Sequence, residues 1–165
     1  MPIKNYTTSI SVEKTIMEIE KILAKFGACN IYKMYNKEAN PIGLAFEVII
    51  NDNPMGFKLP MREGKVLEVF KKAVHNGEIP KRYWNDIEQA RRTGWRILKD
   101  WVDSQIALME IELVKIHEVF LPYMYDRKTG KTLFELMEAK NFDLPQLGYN
   151  DVDLKSTEEP SEKEA

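Results

Sequence analysis

Residues 87–122 read IEQARRTGWRILKDWVDSQIALMEIELVKIHEVFLP, and the fold turns on how this stretch is arranged. Ile87, Ala90, Gly94, Ile97, Trp101, Leu108 and Ile111 fall on one line at steps of three, four or seven. Trp95, Leu98, Val102, Ile106, Met109 and Leu113 fall on an adjacent line with the same 3.6-residue period, so the stretch predicts one helix over about 86–113. Two neighbouring apolar lines make a stripe too wide for a helix lying on a surface, which predicts enclosure by the rest of the chain. Arg92, Arg96, Lys99, Asp103 and Glu110 remain as a narrow solvent-facing ridge.

Working outward toward the N-terminus, residues 64–75 carry Val66, Leu67, Phe70, Ala73 and Val74 and predict a second helix, closed by Asn76-Gly77. Before it stand three β-type runs, 29–35, 42–50 and 55–61, separated by the turn-rich segments NKEANP and NDNP. Leu44, Phe46, Val48 and Ile50 alternate in the second run, and Met55, Phe57, Leu59 and Met61 in the third, where Pro60 marks an edge or an end. Such short connections predict an antiparallel meander. A first helix over 12–26 has Ser11 as N-cap and Gly27 as its stop, with Val12, Ile16, Ile19, Leu23 and Phe26 at helical spacing. The arm before it, 6–10, reads as a short strand.

Toward the C-terminus, Pro122 must end any helix that holds Phe120 and Leu121. Residues 123–131 read as a polar loop, and Thr132 with Glu135 has capping-box spacing for a short helix over 133–139. From 147 the chain turns acidic and loses apolar residues, the composition of a disordered tail. The expectation is an α+β fold: an α-β-β-β-α layer whose meander is packed by the first and second helices, a long Trp-rich helix, and a short helical end. One domain over 1–146 and an acidic tail over 147–165 account for the length.

The 165 residues are 44% hydrophobic and 30% charged, a globular composition. Residues 1–100 carry 17 Lys and Arg against 12 Asp and Glu, whereas 101–165 carry 7 against 14. This split points to a basic working face. A single cysteine, Cys29, cannot form an internal disulfide and reads as a small buried residue opening a strand; a reducing cytoplasm is the expected location. The N-terminal MPIKNYTTSI lacks the apolar region of a signal peptide, and no run is long enough for a membrane span.

Motif chemistry is sparse. Thr129-Gly130-Lys131-Thr132 imitates the end of a phosphate-binding loop, but the glycine required five positions earlier is Tyr125, so a turn and helix cap explain it. His117-Glu118 would need a histidine at 121, which is Leu121. No catalytic set, metal site or cofactor is expected. The carboxylates of the long helix, Asp86, Glu88, Asp100, Asp103, Glu110 and Glu112, could serve a metal-dependent nuclease only if two or more converged; i,i+4 pairing of Arg96 with Asp100 and Lys99 with Asp103 is the simpler reading.

Lys71, Lys72, Lys81, Arg82, Arg91, Arg92, Arg96 and Lys99, interrupted by Tyr83, Trp84 and Trp95, form the candidate nucleic-acid surface, since cations attract phosphates and exposed aromatics stack bases. A merely solvated ridge is the alternative. Trp84, Phe120, Leu121 and Tyr123 are the candidate protein interface.

In element order the α-β-β-β-α core resembles the double-stranded RNA-binding domain, and the β-β-β-α part resembles single-strand annealing proteins. A resemblance of sequence lies in YTTSISVEKTIMEIEKILAKFGA (6–28), GLAFEVII with the following FKLPM, and GWRILKDWVDSQIALMEIELVKIHEVFLPYM (94–124). These segments resemble a widespread family of uncharacterised phage and prophage proteins, over roughly 6–137. The resemblance implies a mobile-element origin and brings no site residues. The functional expectation is a non-enzymatic accessory protein that binds nucleic acid in replication or recombination, or else a protein-binding module acting on a host or phage protein. Its partners would be nucleic acid, another protein or a second copy of the chain, without membrane attachment.

Overall fold

The computed structural model describes residues 2–143. Ser11 Oγ accepts the amide N–H of Lys14 and starts α1 (Val12–Lys25), whose Val12, Ile16, Ile19 and Leu23 are buried on one face. The helix ends where Gly27 takes a φ of 103°, with Ala28 N–H bonded back to Leu23 O. Strands β1 (Asn30–Tyr35), β2 (Pro41–Ile50) and β3 (Asn53–Pro60) follow, then α2 (Glu63–His75). A 3-10 turn at Lys81–Tyr83 leads into α3 (Ile87–Glu110), begun by Asp86 accepting the N–H of Gln89. After it come α4 (Ile116–Phe120), a 3-10 turn at Leu121–Tyr123, and α5 (Leu133–Ala139) with the expected Thr132–Glu135 cap. This is an α+β architecture with a three-stranded antiparallel sheet in the order β1-β2-β3.

Register divides the sheet into two faces, because residues opposite one another on neighbouring strands share a side. Ile31, Phe46 and Phe57 form one row, and Lys33, Leu44 and Leu59 the next; both rows face the helices. Lys33, at the margin of that face, reaches Glu20 of α1 at 3.1 Å. The opposite face carries the rows Asn30, Glu47, Gly56 and Tyr32, Ala45, Lys58.

The main core joins α1, β2, β3 and α3 from Trp95 onward, with Trp95, Phe46, Phe57 and Phe120 fully buried. Each large side chain so enclosed contributes about 1.5–3 kcal/mol of hydrophobic stabilisation. Val12 of α1 shares a cleft with Glu88 and Arg92, Glu18 pairs with Arg96, and Ile22 and Phe26 lie beside Ile106 and Ala107. The two helices therefore run side by side in the same direction.

Five expectations change. Helix α2 does not cover the sheet: it packs on α3, and its Phe70 and Ala73 join Ile79, Tyr83 and Ala90 in a second buried cluster. Its apolar stripe finds the N-terminal half of α3 and the ring of Tyr83, 5.9 Å from Phe70, before it can reach a strand. The arm at 6–10 is not a strand. Its carbonyls are satisfied by α3 side chains, Gln89 Nε2 donating to Tyr6 O and Thr8 O, and Thr93 Oγ1 donating to Asn5 O. Cys29 is exposed and precedes β1 rather than opening it.

The fourth change lies at the end of α3, where Glu112 adopts a φ of 59° and Leu113 N–H turns back to Leu108 O. The helix stops three residues early, and Ile111 and Leu113, expected on the buried lines, are 65% and 67% exposed. The segment after Pro122 is also more than a loop, since Met124 bridges Phe57 and Tyr125 N–H donates to Gly56 O along the free edge of β3. Among the described residues no helix is long and apolar enough to cross a membrane. The acidic segment 147–165 lies outside the described residues.

Candidate functional site

Of the four α3 cations, Arg91 and Arg96 are drawn into the seams between helices, whereas Arg92 and Lys99 bond within α3. Arg91 is 8% exposed and donates from Nε to Glu63 of α2 and from Nη1 to Glu88. The hydrogen bond it donates to Glu63 is the main cause of its raised pKa, against the opposing effect of burial. Arg96, 16% exposed, pairs with Glu18 of α1, and Lys99, 18% exposed, pairs with Asp103 at 2.9 Å. Arg92 donates twice to Gln89 Oε1, at 3.0 and 2.6 Å.

The other four cations stay nearer solvent. Lys72, Lys81 and Arg82 are exposed and Lys71 is half-buried. Arg82 lies over the Tyr83 ring at 4.9 Å and donates to its hydroxyl. The eight residues therefore split between two roles; Lys99 makes the expected i,i+4 pair with Asp103, but Arg96 takes Glu18, 78 residues away, instead of Asp100.

The candidate interface residues separate as well. Phe120 is fully buried, edge-on to Trp101 and Phe46, which removes it from any interface. Trp84 and Leu121 are exposed. Tyr123 is half-buried with its ring 5.5 Å from Trp101, and it is the residue on which a concave site is built.

That site consists of two adjoining hollows sharing Pro60, Arg62 and Tyr123. The larger, about 430 Å³, has Ile97, Leu98 and Trp101 of α3 as its floor and Met61, Val66 and Tyr123 as its walls. Gly94 belongs to this floor, and a Cβ there would come within 2.7 Å of Met61 Sδ. The smaller, about 260 Å³, lies between Lys58, Arg62, Pro122, Tyr123 and Phe134. Together they form a trough lined by apolar side chains with Lys58, Arg62 and Lys65 along its rim. Glu135 also lines it, but its carboxylate accepts the N–H and hydroxyl of Thr132. The Thr132 N–H, helped by the nearby Lys58 and Arg62, holds Glu135 below the usual carboxylate range.

What the trough offers a ligand is apolar lining beside Lys58, Arg62 and Lys65. The carboxylates of α3 are dispersed: Asp86 caps the helix, Glu88 serves Arg91, Asp100 receives Lys4 and Asn5, and Asp103 receives Lys99. Among the described residues no group of three or more His, Cys, Asp or Glu is close enough to hold a metal ion. Sequence reasoning found Tyr123 through its Phe-Leu-Pro-Tyr setting but not Arg62, Lys65, Trp101 or Phe134, which three separate segments bring together. No protein-family model, curated protein or solved structure matches this chain.

Proposed function

We propose that this protein is a non-enzymatic binding module, an accessory protein of phage or prophage origin, which docks a short segment of a partner protein in the Tyr123 trough. The observation that carries this reading is an apolar concavity open at the surface beside Trp101 and Tyr123 and edged by cations. Apolar side chains of a partner would leave water in the hollow, and acidic neighbours would meet Lys58, Arg62 and Lys65. Preference for a protein segment over nucleic acid bound at 71–99 rests on the engagement of Arg91 and Arg96 with carboxylates of α2 and α1.

The test is selection of random twelve-residue peptides displayed on yeast. The expected peptides combine aliphatic or aromatic anchors with Asp or Glu beside them. Their binding should fall at least tenfold for Val66→Glu or Tyr123→Ala, and stay unchanged for Trp84→Ala, with thermal melting as the folding control. Selected peptides that depend instead on Trp84 or on Leu113, or failure to select any, would count against the trough.

A further inference from the structure

The face of the sheet turned away from the helices meets the trough at Lys58 and offers a second surface beyond it. Tyr32, Ala45 and Lys58 stand side by side on β1, β2 and β3. Tyr32 is 52% exposed, with a lysine two strands away, roughly 10 Å in backbone spacing. One acid, Glu47, occupies this face among the described strand residues, and it is already engaged: Arg127 pairs with Oε1, and Asn30 donates to Oε2 at 2.8 Å. The segment that supplies Arg127 is fastened to the sheet. Tyr125 lies over Gly56, where a Cβ would come within 2.8 Å of its ring, and Lys58 Nζ donates to Gly130 O at 3.3 Å. Its remaining cations, Lys128 and Lys131, are exposed, and its acid, Asp126, accepts the N–H groups of Lys128 and Thr129.

We propose that this face binds single-stranded nucleic acid, with a base stacked on Tyr32 and the phosphates carried past Lys58 toward Lys128 and Lys131. Charge complementarity favours this occupant. The local acids on the face and in the segment 125–132 are held by internal donors, whereas Lys58, Lys128 and Lys131 keep N–H groups for phosphate oxygens. An exposed aromatic accepts any base by its π-face, and a duplex would hide that face. This surface shares Lys58 with the trough, but its test reads Tyr32, Lys128 and Lys131, which line neither hollow, so its failure would leave the peptide-docking proposal standing.

The test is fluorescence anisotropy with labelled fifteen-residue oligo-U and oligo-dT, in a salt series starting at low ionic strength. Binding should weaken linearly in log K against log salt. Lys128→Ala with Lys131→Ala should make the slope shallower by about 1.4, at about 0.7 per single-strand phosphate contact. Tyr32→Ala should weaken binding by about 5- to 150-fold, and Tyr32→Trp should retain it. Thermal melts of these exposed-site variants serve as the folding control. No binding at low salt overturns the proposal. So does equal displacement by polyglutamate or by duplex, insensitivity to Tyr32→Ala, or loss of binding only on Lys81→Glu with Arg82→Glu.

Discussion

Arg91 on α3 donates from Nε to Glu63 on α2, 28 residues away in sequence, at 2.5 Å. Around this contact the two helices close over the second cluster, and Arg91 is the more deeply enclosed partner. Glu63→Leu leaves the guanidinium with only the largely exposed Glu88 and should cost about 2–3 kcal/mol, less than a fully sequestered pair because Glu63 retains some water. Adding Arg91→Leu should recover part of that loss. Urea unfolding of the three variants checks it. Lys99→Ala, which removes a pair with the mainly exposed Asp103, should cost only about 0.3–0.5 kcal/mol.

Asp100 ties the N-terminal arm to α3, taking Lys4 at 2.8 Å and Asn5 at 3.0 Å. Burial acts to raise its pKa, but the bonds from Lys4 and Asn5 outweigh it and hold the carboxyl below its ordinary value. A depressed folded-state value means the stabilisation is complete above the unfolded value, about pH 4, and is lost as pH falls through the lower folded value. Asp100→Asn should therefore be about 1 kcal/mol less stable than the parent at pH 6, with the gap shrinking toward pH 3. Denaturant titrations at several pH values give the comparison.

Helices α1 and α2 end on Gly27 and Gly77 in left-handed backbone, whereas α3 uses Glu112 for the same bend. A non-glycine residue there carries strain of about 1–2 kcal/mol, and glycine adds about 0.4–1 kcal/mol of unfolded-state entropy. Relief outweighs entropy. Glu112→Gly should raise stability by roughly 0.5–1 kcal/mol, seen as a higher melting temperature.

Gly43 and Gly94 both lack room for a Cβ, with opposite consequences. At Gly43 the atom would lie 2.7 Å from Leu59 O as well as 2.5 Å from Met34 Cε, and backbone in the middle of a ladder cannot retreat; Gly43→Ala should cost about 1–3 kcal/mol. At Gly94 the nearest atom is Met61 Sδ, on a flexible side chain. There about 1 kcal/mol of helix propensity offsets the crowding, so Gly94→Ala should be nearly neutral in stability. It should still weaken peptides selected on the trough, whose floor it raises. Paired melting and binding measurements separate the two effects.

Local signals were legible in the sequence. Ser11 and the Thr132–Glu135 pair place the starts of α1 and α5 at the residues expected, and alternation in 42–50 and 55–61 gives β2, β3 and their shared face. Long-range choices were not. Nothing near Arg96 reveals Glu18, and nothing in the stripe of α2 reveals that α3 lies under it instead of the sheet. The early stop of α3 was hidden because Ile111 and Leu113 continue the 3.6-residue rhythm while a glutamate, not a glycine, makes the bend. Of the candidate site, Tyr123 was readable from the proline beside it. The concavity was not, since it exists only once Arg62, Trp101 and Phe134 arrive from different parts of the chain.

Helix α3 lends Ala90 to one buried cluster and Trp95, Val102, Ile106 and Met109 to the other. Neither cluster can come apart without unwinding the same rod, so the peptide hydrogens from Ala90 to Trp95 should trade for deuterium only through whole-molecule opening. Heat should then melt both halves at one temperature, and a single calorimetric peak whose measured and van't Hoff enthalpies agree is the expected record.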